Sequence, residues 1–318
     1  MANYAFIPPE VARILHKTSV KVLEKTGVEL KHPEAEELFL SAGCTRDQDG
    51  RILIPPRVVE EALEKIRPRG TVRIFDRDGN KAMSLRPGHT YFGPGSDALY
   101  NVDLQSGKRR QSVLADVGNN VRVADALPNF DFVMSMALPQ DIPQGRMYTT
   151  VFSEMVKNTS KPLVTTATTH EDIKQIHRLG SIVAGGDEAL REKPFFVVYL
   201  EPISPLRMDR LGTDRLLYCA EHEIPILYAA GANCGSGAPV TPEGGVVQGG
   251  AESMAGLVLA LLRNENARFV YGANTSAMDM RSTIVSYGDP VWFKTTAMYA
   301  DLGKYYGLPS WGTAGASD

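Results

Sequence analysis

The chain is poor in several things that would have placed it quickly. It has three cysteines in 318 residues, Cys44, Cys219 and Cys234. They are scattered and odd in number, which gives neither a disulfide framework nor a CxxC metal pattern and suits a reducing compartment. Charge of one sign is not in excess: the formal net charge is −3, so neither nucleic acid nor an anionic membrane is an expected partner. No uninterrupted apolar run approaches the roughly 20 residues that span a bilayer. The N-terminal residues lack the basic and apolar regions of a secretory leader, and the expected location is the cytoplasm. Also missing are a Walker A loop, an HExxH helix, a GxSxG elbow, and a GxGxxG turn after any strand-like segment. His170 and His177 stand seven apart, too far for an i, i+4 metal pair.

What is present is ordinary globular material, 43% hydrophobic and 22% charged, enough for a large core. Residues 9–66 read as helical, with Val11, Ile14, Leu15, Val20, Val22 and Leu23 at helix spacing. Pro33 and Pro56 open further helices at 33–42 and 56–65. Thr71–Asp76 alternates like a strand, and Arg77-Asp78-Gly79-Asn80 supplies a hairpin turn. These features make a first region over 1–87.

From 88 to 318 short apolar runs alternate with helical stretches. The runs are Thr90–Gly93, Phe130–Met134, Pro162–Thr166, Phe195–Leu200, Pro225–Ala229, Phe269–Gly272 and Pro309–Trp311. Helices are expected near 112–126, 145–158, 170–184, 209–221, 247–263 and 290–305. Strands apolar on both faces, alternating with helices, imply a parallel α/β fold. A (β/α)₈ TIM barrel needs eight units and this series has about seven. A doubly wound sheet needs fewer, but its dinucleotide turn is missing, so the expectation is a barrel incomplete at its C-terminus.

In such a barrel the loops after the strands build the site. Each residue there has two readings. Thr168 or Thr169 either caps a helix or lines the site. Glu201 follows an apolar strand directly, where a carboxylate needs a partner or a task. Asp279 and Arg281 form either a structural ion pair or a catalytic pair. Glu252, in a helical pattern with Leu257 and Leu261, reads as packed or solvated. Tyr91, Phe92 and Tyr228 are either core aromatics or walls of a cation–π box.

Several stretches then recur together: Phe92-Gly93-Pro94-Gly95-Ser96-Asp97-Ala98, Gly107-Lys108-Arg109-Arg110, Ile203-Ser204-Pro205-Leu206, Ala238-Pro239-Val240-Thr241-Pro242-Glu243-Gly244, Ala251-Glu252, Asp279-Met280-Arg281, Gly288-Asp289-Pro290 and Tyr305–Ser310. In their order they resemble the trimethylamine–corrinoid methyltransferase family, along the whole chain. The resemblance implies a TIM barrel that moves a methyl group from a tertiary or quaternary methylamine to Co(I). The corrinoid (cobalamin) is carried by a separate cognate protein and none is bound directly by this chain. It further implies a homo-oligomer at full length, with no nucleic-acid or membrane partner. Strand-end position and these motifs together nominate Glu201, Asp279 and Arg281 as catalytic or organising residues, and Tyr91, Phe92, Asn233 and Thr241 as substrate contacts. No metal ligand is nominated. Family members continue past a Gly-rich Ser/Thr-Asp turn, near which some carry pyrrolysine, encoded by an amber codon. The halt at Ser317-Asp318 is therefore expected to mark such a codon, against the alternative of an arbitrary boundary. Two further alternatives are a fragment of a pyrrolysine-free glycine betaine methyltransferase and a non-catalytic truncated product.

Overall fold

A computed structural model describes residues 5–313. The terminal turn read at 312–318 falls, from residue 314 on, outside them. In chain order the first elements are α1 (Pro9–Lys25), β1 (Glu29–Leu30), α2 (Pro33–Ser41), β2 (Thr45–Arg46), β3 (Ile52–Leu53), α3 (Pro56–Ile66), β4 (Val72–Phe75) and β5 (Lys81–Leu85). Next come β6 (Tyr100–Val102), β7 (Arg109–Gln111), α4 (Leu114–Ala126), α5 (Met147–Asn158), β8 (Leu163–Thr165), α6 (His170–Ala184), α7 (Asp187–Glu192) and β9 (Phe196–Leu200). The rest are β10 (Arg207–Met208), α8 (Arg210–Glu221), β11 (Ile226–Cys234), α9 (Pro242–Arg263), β12 (Phe269–Asp279), β13 (Ile284–Val285), α10 (Pro290–Tyr306) and β14 (Ser310–Trp311). The described chain divides into two compact units. Unit 1 holds the residues up to Val72, Leu85–Gly88, and those from Leu200 onward; unit 2 holds Arg73–Ser84 and His89–Tyr199.

The helix starts follow local chemistry. Proline occupies a first-turn position in α1, α2, α3, α9 and α10, where its missing N–H costs nothing. Asp209, Thr241 and Asp289 cap α8, α9 and α10 by accepting backbone N–H bonds. Thr169 and Asp172 form a reciprocal capping box on α6. Left-handed glycines end α6 at Gly185 (φ 92°) and α10 at Gly307 (φ 71°).

Unit 1 is built on β11 and β12, which run parallel in continuous register from Ile226 opposite Phe269 to Cys234 opposite Ala277. β14 adds a parallel rung on β12, Tyr271 to Ser310 and Gly272 to Trp311, and β13 pairs with β12 antiparallel. α9 packs on both long strands, and α1, α8 and α10 pack on α9. Within its 22 residues an 18-residue stretch reaches a mean hydropathy of 1.4, so by length and composition it could cross a membrane, yet 89% of that stretch is buried within the protein. This departs from the expectation that no segment is long and apolar enough; scattered Gly, Gln and Glu residues hide the stretch from a search for uninterrupted apolar runs. The glycines are there for contact. A Cβ on Gly256 would lie 2.3 Å from the Tyr228 ring, and one on Gly249 would lie 2.3 Å from the Tyr299 hydroxyl. Tyr271, Tyr299 and Tyr306 are fully buried; each large aromatic contributes about 1.5–3 kcal/mol on burial.

In unit 2, β8 and β9 are parallel, Leu163 opposite Phe196, and Val133 adds a parallel bridge to Leu163. β4 and β5 form the expected hairpin, closed by a turn from Asp76 to Asn80 with Gly79 at φ 83°. β6 and β7 make a second hairpin that was not foreseen. Two expected strands differ. Phe130–Met134 is reduced to the single bridge at Val133. Thr90–Gly93 is not a strand: the Phe92 N–H and C=O are taken by Asp131, at 2.8 and 2.7 Å, and Gly93 lies against the Phe132 ring.

Parallel α/β architecture is thus present, as expected. Gly256→Ala is expected to lower stability by about 1–3 kcal/mol through overpacking. Gly145→Ala, whose added carbon meets nothing within 4 Å, is expected to change little, and denaturant melts of the two variants check this.

Candidate active site

In parallel strands buried by helices, polar side chains concentrate where the strands end, and that is where ligands bind. β11 is apolar and buried from Ile226 to Ala230 and then turns to Gly231, Asn233 and Cys234. β12 is apolar to Ala273 and then gives Asn274, Thr275 and Ser276. The register sets Asn233 beside Ser276, whose hydroxyl donates to Asn233 Oδ1. Asn274 Oδ1 accepts the Thr313 N–H at 3.2 Å, and Trp292 Nε1 donates to the Thr313 carbonyl at 2.8 Å. Thr275 bonds the Tyr299 hydroxyl at 2.8 Å, and Thr295 donates to the Thr275 carbonyl at 2.7 Å. The ends of β12 and α10 are therefore fixed by side chain and backbone together.

After β11 a tight loop forms, with the N–H groups of Ser236 and Ala238 returning to the Asn233 carbonyl at 3.1 and 2.9 Å. Thr241 caps α9 by accepting the Gly244 N–H at 3.2 Å. Asp279 lies at the end of β12, exposed, and accepts the N–H groups of Arg281 and Ser282 at 3.0 and 3.3 Å and the Ser282 hydroxyl at 2.5 Å. The Ser282 hydroxyl, then the Arg281 N–H, hold its carboxyl below the usual range. What joins Asp279 to Arg281 is a backbone N–H. Among the described residues the Arg281 guanidinium makes no ion pair with it, so the expected side-chain pair is corrected to a turn held by a carboxylate. Glu201, one residue past β9, is exposed and belongs to unit 1.

Tyr91 and Phe92 belong to unit 2. The Tyr91 hydroxyl accepts the Ser84 N–H at 3.0 Å, which ties its ring to the β4–β5 hairpin. Phe92 leaves 59% of its surface exposed, so it is no core aromatic. In the same loop Asp97 takes φ 63°, uncommon for a residue with a side chain. Burial pushes its carboxyl up, against hydrogen bonds from Ser96 and from Thr166 just after β8. Tyr228, the third aromatic weighed from sequence, is 3% exposed and packs under Gly256: it is core.

The group that sequence reasoning undervalued is Glu252. It sits in the middle of α9 at 1% exposure. Oε2 accepts the Ser204 hydroxyl at 2.6 Å, and Oε1 accepts the Leu206 N–H at 2.8 Å and Gln248 Nε2 at 3.0 Å. Gln248 also donates to the Gly237 carbonyl at 2.6 Å. Burial outweighs these donors and raises its carboxyl above the usual value. The signal available beforehand was an acid within the largely apolar stretch Ala251–Leu261 of α9, where it must find donors.

A raised acid keeps its proton in the folded state at pH values where the unfolded chain has lost it. Its contribution to stability is complete below the unfolded value, about 4.3, and is lost as pH rises through the folded value. Glu252→Gln, which cannot ionise, is expected to lack that loss. Thermal melts from about pH 4 upward check it: the wild-type midpoint should fall relative to the variant's, and parallel curves would contradict the raised value.

Comparison with known proteins gives a consistent result. A family model described as trimethylamine methyltransferase matches residues 1–318. The trimethylamine methyltransferase MttB of Desulfitobacterium hafniense DCB-2 is 29% identical over 96% of this chain and 61% of its own length. A glycine betaine methyltransferase of Desulfitobacterium hafniense Y51 is 27% identical over 100% of this chain and 66% of its own. The MttB of Methanosarcina thermophila is 28% identical over 97% and 65%. The chain thus spans about three-fifths to two-thirds of the curated relatives it matches.

Proposed function

The chain belongs to the trimethylamine methyltransferase family, and from that premise we propose that the protein of which it forms all or part moves a methyl group from a methylated, cationic amine to Co(I) of a corrinoid carried by a partner protein. The observation that carries this reading is the match of the family model along all 318 residues. We further propose that its parallel strands belong to a TIM barrel, with the donor held at the strand ends.

The site is suited to positioning. In a methyl transfer of this kind a nucleophile attacks carbon while nitrogen leaves, so alignment of the three centres supplies most of the acceleration, and a rigid, preorganised frame is what the protein contributes. In unit 1, hydrogen bonds already fix Asn233, Asn274, Thr275 and Ser276 at the ends of β11 and β12. In unit 2, Phe92 offers an open aromatic face, the kind of surface that attracts a quaternary ammonium at about 0.5–2 kcal/mol. The side chains of Val240, Met280, Ile284, Tyr287 and Phe293 are exposed on the segments that follow β11 and β12 and on the start of α10. An apolar rim there supports docking of the protein that brings the methyl acceptor.

A second donor is favoured by a specific observation: the glycine betaine methyltransferase relative covers the chain as fully as the trimethylamine enzymes do. Betaine carries a carboxylate that trimethylamine lacks, and Arg281, exposed just past β12, is a guanidinium suited to meet it. The test is the purified protein supplied with cob(I)alamin and with trimethylamine or glycine betaine in turn, following methylcobalamin by absorbance. Transfer from either supports the function and selects the donor; transfer from neither, with the complete gene product, refutes it. Arg281→Ala is expected to weaken betaine turnover and spare trimethylamine. Phe92→Ala is expected to raise the donor KM by about threefold to tenfold with kcat little changed; unchanged kinetics would remove Phe92 from the donor's contacts.

A further inference from the structure

Leu206 is a branched, 7% exposed residue held at φ 53°, in the left-handed region. For a residue with a side chain that conformation costs about 1–2 kcal/mol and persists where the surroundings over-determine it. Here both of its backbone groups are held. Its N–H goes to Glu252 Oε1 at 2.8 Å, and its carbonyl accepts the Glu29 N–H at 2.9 Å. Two residues earlier, the Ser204 hydroxyl donates to the other oxygen of the same carboxyl. One turn of α9 before Glu252, Gln248 bonds that carboxyl and also the Gly237 carbonyl. A single buried side chain thus joins the segment that follows β9 to the loop that follows β11.

From this geometry we propose that Glu252 is a positioning residue, fixing the 203–206 segment directly and the 235–238 loop through Gln248 as one wall of the donor site. The inference rests on the reading that the donor binds at the strand ends of unit 1. The two segments flank that region by chain order, since 235–238 begins just past Asn233 and Cys234. Glu252 itself is sealed from solvent and touches no substrate; it acts through the backbone it holds.

The device works by shape more than by charge. Oε1 receives two N–H groups, which a neutral carboxyl or a side-chain amide also accepts. At the second position the hydroxyl of Ser204 can donate or accept, so an amide NH₂ there finds a partner too. Glu252→Gln therefore keeps every bond, whereas Glu252→Ala strands the Leu206 N–H in a dry interior and takes from the Gln248 amide one of its two acceptors. Gln248→Leu cuts the link to Gly237 and leaves Ser204 and Leu206 attached.

Hydrogen exchange of the whole protein, read on peptides covering 203–208 and 235–240 with 269–273 as an internal reference, tests this. Glu252→Ala is expected to raise exchange about tenfold or more in both test peptides and not in the reference. Gln248→Leu should raise it in 235–240 alone, and Glu252→Gln should match wild type. In the cob(I)alamin assay Glu252→Ala is expected to lose about 100-fold in kcat/KM, the scale of a small misplacement, with Glu252→Gln restoring most of it. Release of only one segment by Glu252→Ala, or a Glu252→Gln variant as impaired as Glu252→Ala, overturns the proposal. So does unchanged turnover once both segments are loosened. If Glu252→Ala does not fold, Gln248→Leu decides: loosening of 235–240 with lowered kcat/KM supports the proposal, and no change in either refutes it. A wild-type protein that transfers no methyl group from either amine defeats the functional reading, while the exchange pattern still decides whether the clamp exists.

Discussion

The rest of unit 1 depends on how closely one helix approaches two strands. α9 lies on β11 and β12 at a distance that a Cβ on Gly245 or Gly256 would forbid. That approach fills the interior with Tyr228, Tyr271 and Tyr299. It also brings Ser253 close enough to donate to the Gly272 carbonyl in the middle of β12, at 2.6 Å. α1 joins the same contact, where Ser19 donates to the Val247 carbonyl at 2.8 Å. A helix held this tightly cannot shift without breaking bonds to β12 and α1, so what it carries is fixed in space. Glycine costs roughly 1 kcal/mol each in a helix interior. The five at Gly244, Gly245, Gly249, Gly250 and Gly256 are tolerated because contact area replaces what propensity loses.

That packing is also why the helix reads ambiguously. Stripped of context, a 22-residue apolar segment satisfies a membrane criterion, and broken up by Gly, Gln and Glu it satisfies none. Most of the other helices were legible because their ends are written in local chemistry. Pro33, Pro56 and Pro290 mark starts, and Thr169 with Asp172 marks another; these features act within four residues and need no tertiary context. The N-terminal extension of α9 back to Pro242 carries the same marks, Thr241 then Pro242, but the run of glycines behind them reads as loop. Strands were legible where both faces are buried, as in β8 and β9. They were too short where side chains turn polar: β11 was expected to stop at Ala229 and runs to Cys234, and β12 was expected to stop at Gly272 and runs to Asp279. Ladder hydrogen bonds are made by the backbone and continue past the point where side chains turn polar. The β6–β7 hairpin escaped because its strands are short and largely exposed, with no buried residue. Its turn was readable in principle, with Asp103 accepting the Ser106 N–H at 2.9 Å and Gly107 at φ 67°.

The candidate site divides along the same line. Asn233 and Thr241 were picked by position after a strand, and both prove to be fixed by the backbone geometry there, Asn233 within the ladder and Thr241 as a cap. The hydrogen bond from Ser276 to Asn233 depends on register between strands 43 residues apart, which no local pattern carries. Glu252 is the sharper case. Its apolar neighbours along α9 made a packed role reasonable, and it is packed; its three donors come from Ser204, Leu206 and Gln248, and two of those lie more than 45 residues away.

The positioning role proposed for this carboxylate suits a methyl transfer accelerated by alignment. Where a reaction is accelerated by acid–base exchange, one expects titrating groups open to the substrate, and their protonation state is the variable that matters. Where it is accelerated by alignment, the protein must resist displacement along the line of attack, and the useful polar groups are those that immobilise backbone. Unit 1 has many of the second kind at its strand ends: Thr295 on the Thr275 carbonyl, Gln248 on the Gly237 carbonyl, and Glu252 on the Leu206 N–H. Each ties a helix to a neighbouring strand or loop, and the bonds of Thr295 and Glu252 are made in a dry interior, where a broken bond costs more than it would in water. Stiffness at the strand ends is thus built from side chains that hold backbone, and it extends outward from the one helix that is packed too closely to move.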